Sequence, residues 1–174
     1  RYFLGLVHYQ WNELDAAQTY LEGVLNYRHV AILIAVRESL ALLALTHALL
    51  GQATQAWQVL ELMSDLDMSQ NGRETEGTRC MRARLQLLSG EIDEAGRWAD
   101  AFVQPVPEEP LHWICDPHIL RLQVLLARGT ANDLVLARQA IDRLYSVAER
   151  THNTRFAIQM LVMRAVVNAA EDCT

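Results

Sequence analysis

The sequence predicts an all-α protein made of stacked antiparallel helix pairs that wind into a right-handed superhelix. Three observations predict it. Four helix-end segments stand in register at intervals of 39 residues: LGLVHYQWN (4–12), LALTHALLG (43–51), RARLQLLSG (82–90) and RLQVLLARG (121–129). Their last column reads Asn12, Gly51, Gly90, Gly129. The residue just past a helix C-terminus often takes the left-handed conformation, which glycine enters without steric cost and asparagine more readily than most. The third observation is a small residue near the start of the next helical pattern: Ala17, Ala56, Ala95 and Ala137. Its intervals are 39, 39 and 42, and the three extra residues of GTANDLVLA are assigned to the turn.

These features give a helix–turn–helix repeat somewhat longer than the roughly 34 residues of a tetratricopeptide unit, so the fold is TPR-like. Roughly four and a half repeats fill residues 1–174 as a single domain. The first helix, 1–11, stops at Asn12. Its partner, 13–27, opens with Glu13 and Asp15, acids that complement a helix N-terminus. Helix 30–50 is apolar almost all round and belongs in the middle of the stack. Helices 52–68 and 73–89 follow, then 91–103, again with acids (Glu91, Asp93, Glu94) in its first turn. The stretch QPVPEEPLHWICDP, 104–117, holds all four prolines and cannot be a regular helix throughout. Helix 117–128 starts at Pro117, the favoured first position. Helices 132–150 and 153–170 complete the chain. The last has no second helix after it, and the chain reads as an excised piece of a larger protein.

Composition narrows the function. Formal net charge is -6, which argues against nucleic acid as a partner of this segment. All fifteen basic residues are Arg, so neither a phosphate-binding G-x-x-x-x-G-K-[ST] loop nor Lys Schiff-base chemistry is available here. No stretch reaches the roughly 18 apolar residues of a membrane span. Cys80, Cys115 and Cys173 are odd in number and far apart, which reads as no disulfide framework and suits the reducing cytoplasm.

Clusters that invite a catalytic reading have simpler accounts. His8 has a register mate in His47, 39 residues on, which points to a shared packing role. HWICDPH places His112, Cys115 and His118 three apart, but this spacing fits neither a zinc finger nor H-E-x-x-H. Trp113 and Ile114 read as pinning that loop, and Cys115 as a small buried residue. No G-x-S-x-G occurs, and no base is identifiable for Cys80 or Cys115. No catalytic residue, metal ligand or cofactor is therefore assigned.

With the repeats aligned, the chain resembles the helical-repeat region of the large ATP-dependent LuxR-type transcriptional regulators of the maltose-regulon-activator type. The matching stretches are LGLVHYQWNELDAA (4–17), RARLQLLSGEIDEAGRWA (82–99), LRLQVLLARGTANDLVLARQAIDRL (120–144) and AERTHNTRFAIQMLVMRAV (148–166). The HYQWN turn and the THNTR helix entry are the most specific of these. The resemblance implies a flanking nucleotide-binding module and a C-terminal helix-turn-helix. It also implies a role for this region in receiving a small-molecule or protein signal and coupling it to self-association. One departure stands out: relatives often carry an acidic residue and a hydroxyl before the ARxLLAxG-like helix, where this chain has CDPHILRLQVLLARG. A stand-alone protein–protein scaffold of the same architecture is the alternative.

First helices of such stacks line the concave face. The register places Leu6, Leu45, Arg84 and Gln123 at one inward position. Tyr2, Ala41, Cys80 and Ile119 occupy a second, and Tyr9, Ala48, Leu87 and Leu126 a third, with Glu38 and Asp116 at the entrance. The expected binding residues are Tyr2, Leu6, Tyr9, Glu38, Leu45, Arg84 and Gln123, a mix that suits a small polyol or short peptide. Helix 153–170 is expected either to self-associate through Ile158, Leu161, Val162 and Ala165 or to leave the chain markedly less stable than a longer one.

Overall fold

A computed structural model describes residues 1–27, 32–108, 114 and 116–171. The helices are α1 (Tyr2–Gln10), α2 (Leu14–Leu25), α3 (Leu33–Leu49), α4 (Ala53–Asn71), α5 (Glu76–Leu88), α6 (Ile92–Ala101), α7 (Pro117–Arg128), α8 (Ala131–Arg150) and α9 (Thr154–Glu171). No strand occurs among the described residues. The chain divides into two compact units, Arg1–Ser89 with Trp113–Cys115, and Gly90–His112 with Asp116–Thr174.

In the first unit α1, α3 and α5 lie side by side, and α2 and α4 pack between successive members of that row. The helix stops are those the register predicts. Asn12, Gly51, Gly90 and Gly129 all have positive φ, at 61°, 75°, 82° and 63°. At Asn12 the turn is a Schellman motif: the Asn12 N–H donates to the Tyr9 carbonyl at 3.0 Å and that of Glu13 to His8 at 2.9 Å. Gly51 and Gln52 repeat both bonds, to Ala48 at 3.1 Å and His47 at 2.8 Å. The histidines repeat as well. His8 Nδ1 meets Glu13 Oε2 at 2.5 Å, and His47 Nδ1 meets Gln52 Oε1 at 2.6 Å. Each ties the last turn of a first helix to the residue that opens the second.

The small-residue column is buried at all four places, Ala17, Ala56, Ala95 and Ala137. The extra residues before Ala137, however, are not in the turn. Thr130 follows Gly129 directly and caps α8, just as Glu91 follows Gly90 and caps α6. The Thr130 hydroxyl accepts from the Asp133 N–H at 3.2 Å and donates to Asp133 Oδ2 at 2.7 Å, so the helix begins at once. Leu134 therefore holds the strict register position, and Ala137 lies almost a turn deeper in a longer helix.

α3 is the buried centre of its unit. Ser39–His47 are buried without interruption. Its hydroxyls can be buried because they bond back to the helix: Ser39 Oγ donates to the Ala35 carbonyl at 2.7 Å and Thr46 Oγ1 to that of Leu42 at 2.8 Å. α1 comes close to α2 because Gly5 faces Leu21; a Cβ on Gly5 would lie 2.7 Å from the Leu21 side chain.

Asp67 fixes the start of α5. It is 1% exposed, yet four groups of the chain serve it. Its Oδ2 accepts from the Thr75 N–H at 2.7 Å, from Thr75 Oγ1 at 2.6 Å and from Thr78 Oγ1 at 2.7 Å, while Arg37 pairs with Oδ1. Burial opposes its charge, but the threonine bonds and the Arg37 guanidinium outweigh burial and hold its pKa below the ordinary value.

The second unit closes over a core shared by α7 (Leu122, Leu125), α8 (Ile141, Leu144) and α9 (Phe156, Met160, Met163). The opposite face of α9 is open: Ile158 is 57% and Val162 59% exposed, with Leu161 and Val166 beside them. After α6 the chain has no regular secondary structure through Phe102–Glu108, as its prolines favour. Phe102 is buried and Val106 packs on the core.

Candidate functional site

Six of the seven expected binding residues lie in the first unit. Tyr2, Leu6 and Tyr9 recur at helical spacing along one face of α1. Glu38 and Leu45 come from α3, and Arg84 from α5. The three helices are neighbours, so the residues share one wall. Leu45 is buried and forms the packed back of that wall, as do Ala41 and Cys80 from the second register position. Gln123, half-buried on α7, belongs to the other unit.

The wall's charges lie close enough to influence one another. Tyr9 faces Arg84: burial pushes the phenol up, and the neighbouring guanidinium partly offsets this. Burial lowers the Arg84 pKa in turn, with Tyr9 opposing. Tyr2 is raised by burial and by the Glu38 carboxylate. Glu38 is itself raised by burial, against one hydrogen bond that its Oε2 accepts from the Ile114 N–H at 3.0 Å. No described residue hydrogen-bonds the Arg84 guanidinium, and no described acid pairs with it. Two opposite charges are thus drawn partly out of water, with most of their hydrogen-bonding capacity unused by the described residues. Such groups carry a desolvation cost that an added partner relieves.

The HWICDPH stretch resolves differently. His112, Trp113 and Cys115 lie outside the described residues. Asp116 is the N-cap of α7, accepting from the N–H groups of His118 at 2.9 Å and Ile119 at 3.3 Å, with Pro117 at the first position. His118 stands edge-on to Phe102, 5.1 Å between ring centres, and burial lowers its pKa. No group of three or more His, Cys, Asp or Glu that could hold a metal occurs among the described residues.

Two expectations from cysteine spacing need correction. Cys80, fully buried on α5, is disulfide-bonded. Distance along the chain says little about distance in space once a long irregular segment intervenes, so the spacing argument had no force. Cysteine usage therefore lends no support to a reducing compartment. The other two cysteines, Cys115 and Cys173, lie outside the described residues.

The structure also contains charged groups that the register did not select. Besides Asp67, the buried Asp133 receives Arg128 Nη2 at 2.5 Å, while the same guanidinium reaches Asp100 with bonds of 2.8 and 3.0 Å. A sequence signal existed for Asp67. It lies eleven, seven and four residues after Ala56, Leu60 and Met63, all buried on α4, so an acid interrupts an apolar face.

The family model for the MalT-like TPR region matches residues 2–173. No curated protein and no solved structure matches the chain. The family match spans α1 to α9, and the chain belongs to the MalT-like TPR region family.

Proposed function

We propose that residues 1–174 act as one signal-receiving segment of a cytoplasmic LuxR-type transcription regulator and do no chemistry themselves. The signal is a small polyol or short peptide seated on the wall formed by α1, α3 and α5. The observation that carries this reading is the pair Glu38, which accepts one hydrogen bond from the described residues, and Arg84, which has no partner among them, flanked by the phenols of Tyr2 and Tyr9. A hydroxyl-rich ligand can accept from the guanidinium and donate to the carboxylate while its carbon skeleton covers the tyrosine rings and Leu6. Binding then favours whichever arrangement of the stack brings these groups together, since only differential affinity shifts a population.

Self-association is the output of this reading. The open face of α9, with Ile158, Leu161, Val162 and Ala165, is the surface through which copies would meet. No partner role for nucleic acid or lipid is included: the segment is acidic, and no described helix is long and apolar enough to cross a membrane. The test is the inducer response of the full-length regulator carrying Arg84→Ala or Tyr9→Ala. Both variants should lose the response while the segment keeps its helical content. Normal responses in both would place signal entry elsewhere.

A further inference from the structure

The second unit holds a cavity that the proposed signal wall does not use. The irregular segment after α6 is pinned at Phe102 and Val106, and Phe102, Gln104 and Val106 all line one cavity. Beneath it, between α7 and α8, lies a partly enclosed cavity of about 90 Å³. Its apolar lining comes from Phe102, Val106, Leu122 and Leu144, and its polar lining from Gln104, His118, Arg121 and Arg143. No carboxylate among the described residues lines it.

The arginines are not used up by the fold. Arg121 Nε donates to the Ala99 carbonyl at 3.0 Å, which orients the guanidinium and satisfies a carbonyl near the end of α6. Its two terminal nitrogens have no acceptor among the described residues. Arg143 has no hydrogen-bond or ion-pair partner among them. On the other side of Val106 and Arg143 an open cleft of about 510 Å³ continues past Pro107, Glu108, Ser146 and Arg150. Asp142 at its edge is already paired with Arg164 at 2.8 Å.

We infer that this cavity binds the phosphoryl group of a small phosphorylated metabolite, held between Arg121 and Arg143, with the rest of the molecule in the adjoining cleft. The cavity admits a group of a few heavy atoms and not a sugar ring. Donors converge on it from three elements, the 102–108 segment, α7 and α8. That arrangement suits a tetrahedral anion, whereas one guanidinium fork already fills a planar carboxylate. His118 then reports occupancy. Burial lowers its pKa, Asp116 opposes this and Arg121 adds to it, while Arg143 also faces the cavity. An anion beside the ring favours the imidazolium, so binding raises the pKa.

The test is a titration of the full chain with potassium phosphate against potassium chloride at matched ionic strength, read on the His118 ring resonances assigned with His118→Asn. Saturable phosphate binding with an upward shift of the His118 pKa is expected. Affinity should fall about tenfold or more in Arg121→Gln and in Arg143→Gln, the loss expected for a charge-assisted bond, and be unchanged in Arg155→Gln on α9. Arg121 also supports α6, so Arg143→Gln at its exposed position isolates the anion contact. Acetate should bind markedly more weakly than phosphate. Equal phosphate affinity in the wild type and Arg143→Gln, or acetate binding as tightly as phosphate, would overturn the inference. Neither outcome bears on the first unit's wall.

Discussion

Asp67 and Glu38 are carboxylates of the same unit, both drawn out of water and held in opposite ways. Asp67 accepts three hydrogen bonds from Thr75 and Thr78 and pairs with Arg37, and its pKa falls below the ordinary aspartate value. Glu38 accepts one bond from the described residues, from a backbone N–H, and its pKa rises. The difference teaches how to separate structural polarity from available polarity. Asp67 is saturated: it joins α3, α4 and the start of α5, and has nothing left to offer. Among the described residues Glu38 accepts a single hydrogen bond and Arg84 has no partner, the capacity that the proposed ligand would use.

The sharpest way to break the comparison is to empty the saturated site. Asp67→Ala leaves Arg37 and two threonine hydroxyls without their acceptor and should cost about 3–5 kcal/mol in denaturant unfolding. A loss under about 1 kcal/mol would show that the network does not hold α5. Next in size is Gly5→Ala. Its added methyl would sit 2.7 Å from Leu21 and push α1 off α2, for roughly 1–3 kcal/mol.

Acid titration sets the two carboxylates against each other. The folded pKa of Asp67 is depressed, so its contribution is fully present above the ordinary value of 3.8 and is lost as pH falls through the lowered folded value. Glu38 works the other way. Its folded pKa is raised, so ionised Glu38 weakens the fold at neutral pH, and this penalty is relieved as pH falls toward 4.5. Glu38→Gln should therefore change neutral-pH stability by less than about 1 kcal/mol and make the acid-side loss of Tm steeper. A variant whose Tm profile runs parallel to wild type between pH 7 and pH 4 would contradict this assignment. The smallest stability effect is expected for Arg84→Ala, within about 1 kcal/mol, because no hydrogen bond among described residues is lost with it.

Much of the fold was legible because its marks are local. Asn12 in the column of Gly51, Gly90 and Gly129 identified a left-handed stop without any long-range information. The buried run of α3 followed from its lack of a polar face, and the prolines set the irregular segment after α6. What depended on through-space pairing was not legible. The extra residues before Ala137 were placed in a turn because a repeat comparison cannot tell a longer loop from a helix that starts earlier; Thr130 and its capping bonds decide it. The register put Tyr2, Tyr9 and Arg84 on one wall at different positions, with Glu38 at its entrance, but it paired neither Tyr9 with Arg84 nor Tyr2 with Glu38, and it did not show the lack of a charged partner for Arg84 among the described residues. The cavity under Phe102 and Val106 rests on the course of an aperiodic segment, which no periodicity describes.

The central claim is that Glu38 and Arg84 are open for a ligand. It is tested most directly by thermal denaturation of this chain and its Arg84→Ala variant against a panel of small polyols, short oligosaccharides and short peptides. At about 100 times its Kd, a ligand should raise the wild-type Tm by roughly 5–10 °C. The account predicts at least one such compound, with the shift lost in Arg84→Ala while the variant's own Tm without ligand stays close to wild type. A compound that shifts both proteins equally, or a panel that shifts neither, would contradict it.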